Sequence, residues 1–397
     1  MKKHGSILGG TLLITGSCIG AGMLGLPILT GLAGFLPTFI MFVIAWLFMT
    51  TTALLMIETL GWFDKPVNLI SMVGHTLGPI GKLLCWFLYL FLFYALLVAY
   101  MSASGNHVSS FSHYTLSLKF PDWGGTLFFV ILFGWLVYLG TRPVDHLNRF
   151  LMVGKIGAYL LLIFLGIRYI APRLLLYFEP KYALMSFPIL IISFGFHNMI
   201  PSLFHYMGGD RKRVRQAIWY GSIFAFVIYL IWEIIVLGIL PIGEIQSSFQ
   251  ADIDGAQALH NYLGSTWIGY AAQVLAFFAI LTSFLAQSLS LVHFLRDGFK
   301  LHKKKREHLG MCALALLPPL FFSVVFPKIF FQALNFAGGI CAVVLFGIFP
   351  ALMAWIGRYQ KKHLLEDRVR GGKPLLIAVL IVACFIFFYQ LTQMLGF

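Results

Sequence analysis

Two stretches of the chain put helix-breaking residues and polar side chains where a membrane makes both expensive. The first reads Gly16-Ser17-Cys18-Ile19-Gly20-Ala21-Gly22-Met23-Leu24-Gly25-Leu26-Pro27. Glycine and proline cost a helix about 1 and 3 kcal/mol each. This segment is therefore either a packing face of small residues, common in membrane bundles, or an unwound turn whose N–H and C=O groups face a polar cavity. The second stretch carries Pro188 and then Ser193-Phe194-Gly195-Phe196-His197-Asn198-Met199-Ile200-Pro201. A histidine and an asparagine in mid-span have to face protein or water. The remaining intramembrane acids and histidines, Glu58, His205, Glu233 and His293, are scattered, with no HExxH and no paired aspartates. A membrane-embedded enzyme needs such groups clustered at one depth, so enzyme chemistry is the weaker reading. A channel would need a carbonyl-rich filter or repeated polar faces, and neither is present.

The elements that position these residues follow from composition. The chain has 397 residues, 60% hydrophobic and 11% charged, against about 25% charged in soluble domains. It reads as an integral membrane protein, which excludes a soluble enzyme, a secreted disulfide scaffold and a nucleic-acid binder. Cys18, Cys85, Cys312, Cys341 and Cys384 lie in apolar runs without metal-ligand spacing, so neither disulfides nor a metal site is expected. The run after His4 has no charge until Glu58, too long for a signal peptide.

A helix crosses the bilayer with about 20 apolar residues. That length gives eleven spans: roughly 6–30, 35–60, 80–104, 124–142, 149–169, 183–206, 214–240, 266–294, 309–327, 330–357 and 374–396. The stretch 61–79 reads as a short amphipathic surface helix. With the N-terminus cytoplasmic, 23 of the 28 Lys and Arg fall on cytoplasmic segments, leaving Lys119, Arg168, Arg173, Lys181 and Lys328 outside. The net charge of +14 is then a positive-inside signature, and the C-terminus is periplasmic. Interrupted spans 1 and 6 are five helices apart, the pattern of an inverted-repeat transporter with its site between the broken helices. Residues 1–170 and 183–357 would be the two repeats, and 374–396 an added helix.

The residues GSCIGAGMLGLP, SFGFHNMIPSLFHYMGG, NRFLMVGK and TSFL resemble the hydroxy and aromatic amino acid permease family, most of all its tyrosine-specific branch, along essentially the whole chain. The resemblance implies an all-α polytopic protein of LeuT-type 5+5 inverted-repeat fold plus one helix, in the amino acid/polyamine/organocation superfamily. It also implies proton-driven import of an aromatic amino acid, tyrosine first and tryptophan or phenylalanine next, across a bacterial inner membrane. No cofactor and no nucleic-acid partner is expected; the partners are substrate, coupling ion and lipid bilayer.

Carried onto this sequence, the resemblance places the substrate carboxylate at the N–H groups of Gly20, Ala21 and Gly22, where a half-helix begins. The ammonium would meet carbonyls near Ser17, Cys18 and Ser193. Phe194, Phe196 and Tyr94 are candidate walls or a lid, and His197 and Asn198 candidate partners for a phenol or indole N–H. Lys155 is either a snorkelling lysine or, as in some proton-coupled relatives, an ammonium standing at the second sodium site between helices 1 and 8. Thr282 and Ser283, with carbonyls near Gly16 and Ile19, resemble the ligands of sodium-coupled members, so sodium stays open as the alternative ion. Glu233, beside Trp232 in the outer half of helix 7, is either a proton carrier or structural. Glu58 and Asp297 read as gate or interfacial charges.

Overall fold

In hydrocarbon a chain can leave no backbone N–H or C=O unpaired, and a helix meets that requirement segment by segment. The structure is a computed structural model that describes residues 5–63, 67–116, 121–264, 266–299, 305–326, 328–362 and 368–396, and among them every regular element is helical. Helices α1 (Ile7–Cys18) and α2 (Ala21–Gly31) are halves of one span, bent by 58° at the break. Then come α3 (Phe35–Leu60), α4 (Leu69–Leu116), α5 (Asp122–Leu139) and α6 (Thr141–Gly166). The sixth span is also broken, into α7 (Phe187–Ser193) and α8 (Ile200–Tyr206), and α9 (Arg211–Ile239) follows. Two short helices, α10 (Ile242–Ala251) and α11 (Gly255–Leu263), precede α12 (Trp267–Gly298) and α13 (Lys305–Val325). The tenth span runs through α14 (Phe330–Phe336), a π-helical stretch Ala337–Ile348 and α15 (Phe349–Tyr359); α16 (Gly372–Leu395) is last.

Among the described residues, ten helices are long and apolar enough to span a membrane, and the bent α1–α2 pair makes eleven, as the sequence predicts. The tenth span is 67% buried whereas α16 is 28% buried, so the last helix rides on the outside of the bundle. Large apolar side chains on the outer helices, among them Phe150, Phe164, Ile131 and Ile381, are exposed, as a lipid-facing surface requires.

Residue 5 marks one face of the bundle. Gly5 N–H donates to Tyr206 O at 2.9 Å, and Arg213 Nη2 donates to Gly5 O at 2.6 Å. The alternation of spans brings the ends of α3, α5, α8, α12 and α15 to this N-terminal face and puts α10, α11 and 167–186 on the far face. There the chain closes tightly. Gly34 has φ +88°, and a Cβ on it would meet Tyr177 O, so only glycine lets the two segments touch.

Three local features add detail to this layout. Within 61–79, the helix from Leu69 ends at Gly78 (φ 80°, ψ −171°), which breaks α4 into a short leading piece and the long span; residues 64–66 lie outside the described residues. Leu69, Met72, Val73 and Thr76 of that piece are buried while Ser71 and His75 are exposed. Residues between the spans 214–240 and 266–294 fold into α10 and α11, and Asp254 caps the second helix, accepting from Ala256 N at 2.9 Å and Gln257 N at 3.0 Å. The tenth span is not a uniform α-helix. Of the basic residues sorted by face, Lys2, Lys3, Lys65, Lys119, Lys300, Lys303 and Lys304 lie outside the described residues.

Glu58, at the end of α3 on the N-terminal face, is buried in an ion pair. Arg358 Nε and Nη2 donate to its two oxygens at 2.7 and 2.6 Å, and Val369 N donates to Oε2 at 2.7 Å. Both side chains are buried, so the pair clamps α3, α15 and the approach to α16 together. Removing one partner of a buried pair strands the other charge at a cost of about 3–5 kcal/mol. Arg358→Met is therefore expected to lower the detergent unfolding temperature far more than Arg149→Met, whose exposed i,i+4 pair with Asp145 is worth about 0.3–0.5 kcal/mol. Equal shifts in a thermal melt would overturn the clamp.

Candidate functional site

The first break is built by one residue that avoids helix and three helices that make this tolerable. Gly20 is extended (φ −128°, ψ −167°), which ends the ladder of α1 and leaves polar backbone groups exposed at mid-depth. Three of them are met by side chains of other helices. Lys155 Nζ, from α6, donates to Ile19 O at 2.5 Å. Ala21 N–H donates to Ser283 Oγ, from α12, at 3.1 Å. The Tyr229 hydroxyl, from α9, lies 2.6 Å from Cys18 O and 2.7 Å from Ser193 O, sharing one O–H between the carbonyls of both broken spans. A Cβ on Gly20 would fall 2.7 Å from Ser283 Oγ, so glycine is what lets α12 come this close.

The second break begins where Phe194 and Gly195 leave helical geometry and ends in the single turn Phe196–Met199. The Ser193 Oγ and Asn198 Oδ1 atoms are buried there with no protein partner. His197 has a different role. Thr52 Oγ1 gives its hydrogen to Met49 O and lies 2.9 Å from His197 Nε2, so the ring is the donor and carries its proton on Nε2. The ring stacks on Phe346 with centroids 4.9 Å apart.

Between the two breaks lies a cavity of about 710 Å³, within the range of small-molecule sites. Its deep end is formed by Gly20, Gly22, Ser193 and Gly195. Aromatic walls come from Tyr89, Phe93 and Tyr100 on α4, Phe294 on α12 and Phe346 in the π-helical stretch, a helix form frequent at functional sites. Asn68, Asn148, Ser202, His293 and Asp297 line the other end, all from helix termini on the N-terminal face, so the cavity opens there. The far side is sealed: Trp232 Nε1 donates to Met23 O at 3.0 Å, Thr30 and Glu233 are hydrogen-bonded at 2.9 Å, and α11 packs over α2. Among the described residues, no acidic side chain lines the deep end.

Of the expected site residues, Gly16, Ser17, Cys18, Ile19, Gly20, Gly22, Lys155, Ser193, Asn198, Thr282 and Ser283 line this cavity. Ala21 lies just behind it, turned toward the core with its N–H on Ser283. Five others are elsewhere. Tyr94 is on the right helix but the wrong face, its hydroxyl bonded to Leu314 O at 2.9 Å. Phe194 packs edge-on against Phe42 and Tyr229, and Phe196 and His197 stand behind the wall rather than in it. Glu233 lies in the far-side seal, away from the cavity. Sequence reading missed Tyr89, Phe93 and Tyr100, although with Leu96 they share one helix face at i, i+4, i+7 and i+11. It also missed Tyr229, one aromatic among many, and Phe346, whose facing depends on the π register.

Residues 3–390 match the tryptophan/tyrosine permease family. The chain is 31% identical over 384 residues to tyrosine-specific transport system 2 of Haemophilus influenzae, covering 94% of this chain and 93% of the relative. It is 30% identical over 386 residues to the tryptophan-specific transport protein of the same organism, covering 94% and 92%. Among solved structures it resembles MhsT in complex with L-phenylalanine, with a TM-score of 0.66 over 98% of this chain and 99% of that one at 14% identity, which establishes the LeuT-type fold. Two broken spans facing one cavity, the eleven-span bundle and these matches lead to one statement: the chain belongs to the tryptophan/tyrosine permease family.

Proposed function

We propose that this permease imports an aromatic amino acid, tyrosine foremost, by proton symport across a bacterial inner membrane, with the N-terminal face cytoplasmic and the cavity open to the cytoplasm. Relatives named for tyrosine and tryptophan transport support the substrate class. In this reading 1–170 and 183–357 are the inverted repeats, and 374–396 is an addition. The substrate carboxylate binds at the start of α2, where the N–H of Gly22 and the positive end of the helix face the cavity. Its ammonium binds carbonyls of Ser17, Cys18 and Ser193, whose second lone pairs remain when Tyr229 donates to Cys18 and Ser193. Its ring lies among Tyr89, Phe93 and Phe346, and Asn198 Oδ1 accepts from the phenol or indole donor.

The observation that carries proton coupling is the Lys155 ammonium on Ile19 O. A sodium ion between the first span and α12 would need that carbonyl together with the Thr282 and Ser283 hydroxyls. Here Ile19 O holds a lysine, Ser283 Oγ takes the Ala21 N–H, and Thr282 bonds Ala279 O at 3.1 Å. Lys155 is the cation of this site, and loss of its proton would free Ile19 O and loosen α1 from α6.

The tests are direct. A Cβ on Gly22 would lie 3.6 Å from Ser193 Oγ, an ordinary contact, so Gly22→Ala is expected to melt like the wild type while losing about tenfold or more in tyrosine affinity, about 1.4 kcal/mol. Unchanged affinity in a binding assay would remove α2 as the carboxylate site. In liposomes, one proton per substrate gives up to about tenfold accumulation per pH unit imposed. Lys155→Ala should collapse that ratio toward one while substrate exchange persists. Uptake that follows sodium at fixed pH and fails in a Thr282→Ala, Ser283→Ala variant would replace proton by sodium. For orientation, a cysteine at Lys212 should resist an impermeant thiol reagent applied to intact cells and one at Gln250 should react, and the reverse pattern inverts the topology.

A further inference from the structure

On the sealed far face, away from the cavity, side chains from three elements form one continuous hydrogen-bonded chain. Asp254, the cap of α11, uses Oδ1 for the Ala256 and Gln257 N–H groups and has Oδ2 2.7 Å from His107 Nε2 on α4. His107 Nδ1 is 3.1 Å from Gln273 Oε1 on α12. Gln273 Nε2 donates to Gln257 Oε1 at 2.8 Å, and Gln257 Nε2 donates to Asn261 Oδ1 at 2.8 Å. His107, Asp254 and Gln257 are all buried.

The direction of this chain counts protons. The two amides donate away from His107, so Gln273 presents an oxygen to the ring, and Nδ1 has to carry a hydrogen. Asp254 presents a carboxylate oxygen to the other nitrogen, so Nε2 has to carry one as well. The 2.7 Å separation is that of a charge-assisted N–H···O bond. Closed, the pair is imidazolium and carboxylate. Among the described residues, the groups around the ring offer no competing charge of comparable position. From α11 the other titratable groups are His260, which burial pushes below the ordinary histidine pKa, and Tyr262, which is exposed, and from α12 the exposed Tyr270 packs on His260 rather than on His107. From α5 the group is Asp122, exposed at the helix start. Gln273 on α12 is neutral, and α13 and α14 bring no titratable side chain to this depth.

We propose that His107 and Asp254 form a proton-binding latch: closing the far face takes up one proton from that side, and opening it returns the proton there. Opening requires α11 to leave its seat against Leu24 and Trp232, which Gly255 makes possible by close approach, and that movement separates Asp254 from His107. A separated, hydrated imidazole has a pKa of about 6.5, so at neutral pH it is uncharged and the pair re-forms only by binding H⁺. The proton enters and leaves on the same side, so it is not carried across; it sets how far the far gate opens at a given pH on that side. This rests on the transport reading and adds a pH control to it.

Ala256 is fully buried behind the latch, and a cysteine there reports opening through its rate of labelling from the far face, with the parent protein as background. Divided at each pH by the rate for a control cysteine at the exposed Gln250, which removes the thiolate's own pH dependence, labelling is expected to rise about tenfold per pH unit above pH 6.5 to 7, the slope for one proton, and to lose that slope in an Asp254→Asn variant, which keeps a good helix cap. A flat profile in the wild-type background, or a slope that survives Asp254→Asn, overturns the latch. Nitrogen-15 spectra of histidine-labelled protein at pH 7.5, with His107 assigned by its loss in His107→Gln, should show both ring nitrogens protonated in the closed state. A ring with one bare nitrogen overturns it too. Accumulation in liposomes is read separately: absence of proton-driven uptake overturns symport and leaves the labelling slope, and with it the latch, intact.

Discussion

Everything in this protein depends on satisfying a few backbone groups that two broken helices set loose in the middle of a membrane. An unpaired N–H or C=O in hydrocarbon costs several kcal/mol, so a break persists only if other helices supply the missing partners. Here Tyr229 serves the carbonyls of both breaks, Lys155 serves Ile19 O and Ser283 serves the Ala21 N–H. The bundle is held in register by these contacts, since α6, α9 and α12 each have to reach the same point. The same groups surround the cavity, so the stability of the fold and the polar lining of the cavity have a common origin.

The two faces solve opposite problems. On the N-terminal face the helices splay around an aromatic cavity whose rim carries Asn68, His293 and Asp297. On the far face polar contacts are short and buried: Trp232 on Met23 O, Glu233 with Thr30, Asp252 on the first two N–H groups of α14, and His107 with Asp254. Reversing the access of the cavity means exchanging these contacts for water, which is why the seal is made of groups that water can satisfy.

Span number and the two breaks were legible in the sequence because both leave composition signals that do not depend on partners: apolar length, and glycine or proline inside it. Roles set by helix rotation were not. Tyr94 lies five residues from Tyr89, which turns it away from the face that carries Tyr89, Phe93 and Tyr100. His197 looked like a ligand because a mid-span histidine demands a partner, and the partner turned out to be Thr52 on α3, 145 residues away in the chain. The hairpin α10–α11 was hidden because its capping aspartate lies in a polar run that reads as loop. Phe346 faces the cavity only because residues 337–348 wind as a π-helix, and no apolar run announces that change of pitch.

The clamp between Glu58 and Arg358 joins residues 300 positions apart, and that separation has a consequence in time. A chain emerging at about 5–20 residues per second needs roughly 15–60 s between the two. Throughout that interval α3 is already in the bilayer with its terminal carboxylate answered only by water and headgroups, and nothing yet ties it to the tenth span. The early helices must therefore hold their places by their apolar faces alone. Arg358 and Val369 arrive as the closing stitch, so the charge pair that strengthens the finished bundle contributes nothing to its assembly until assembly is almost over.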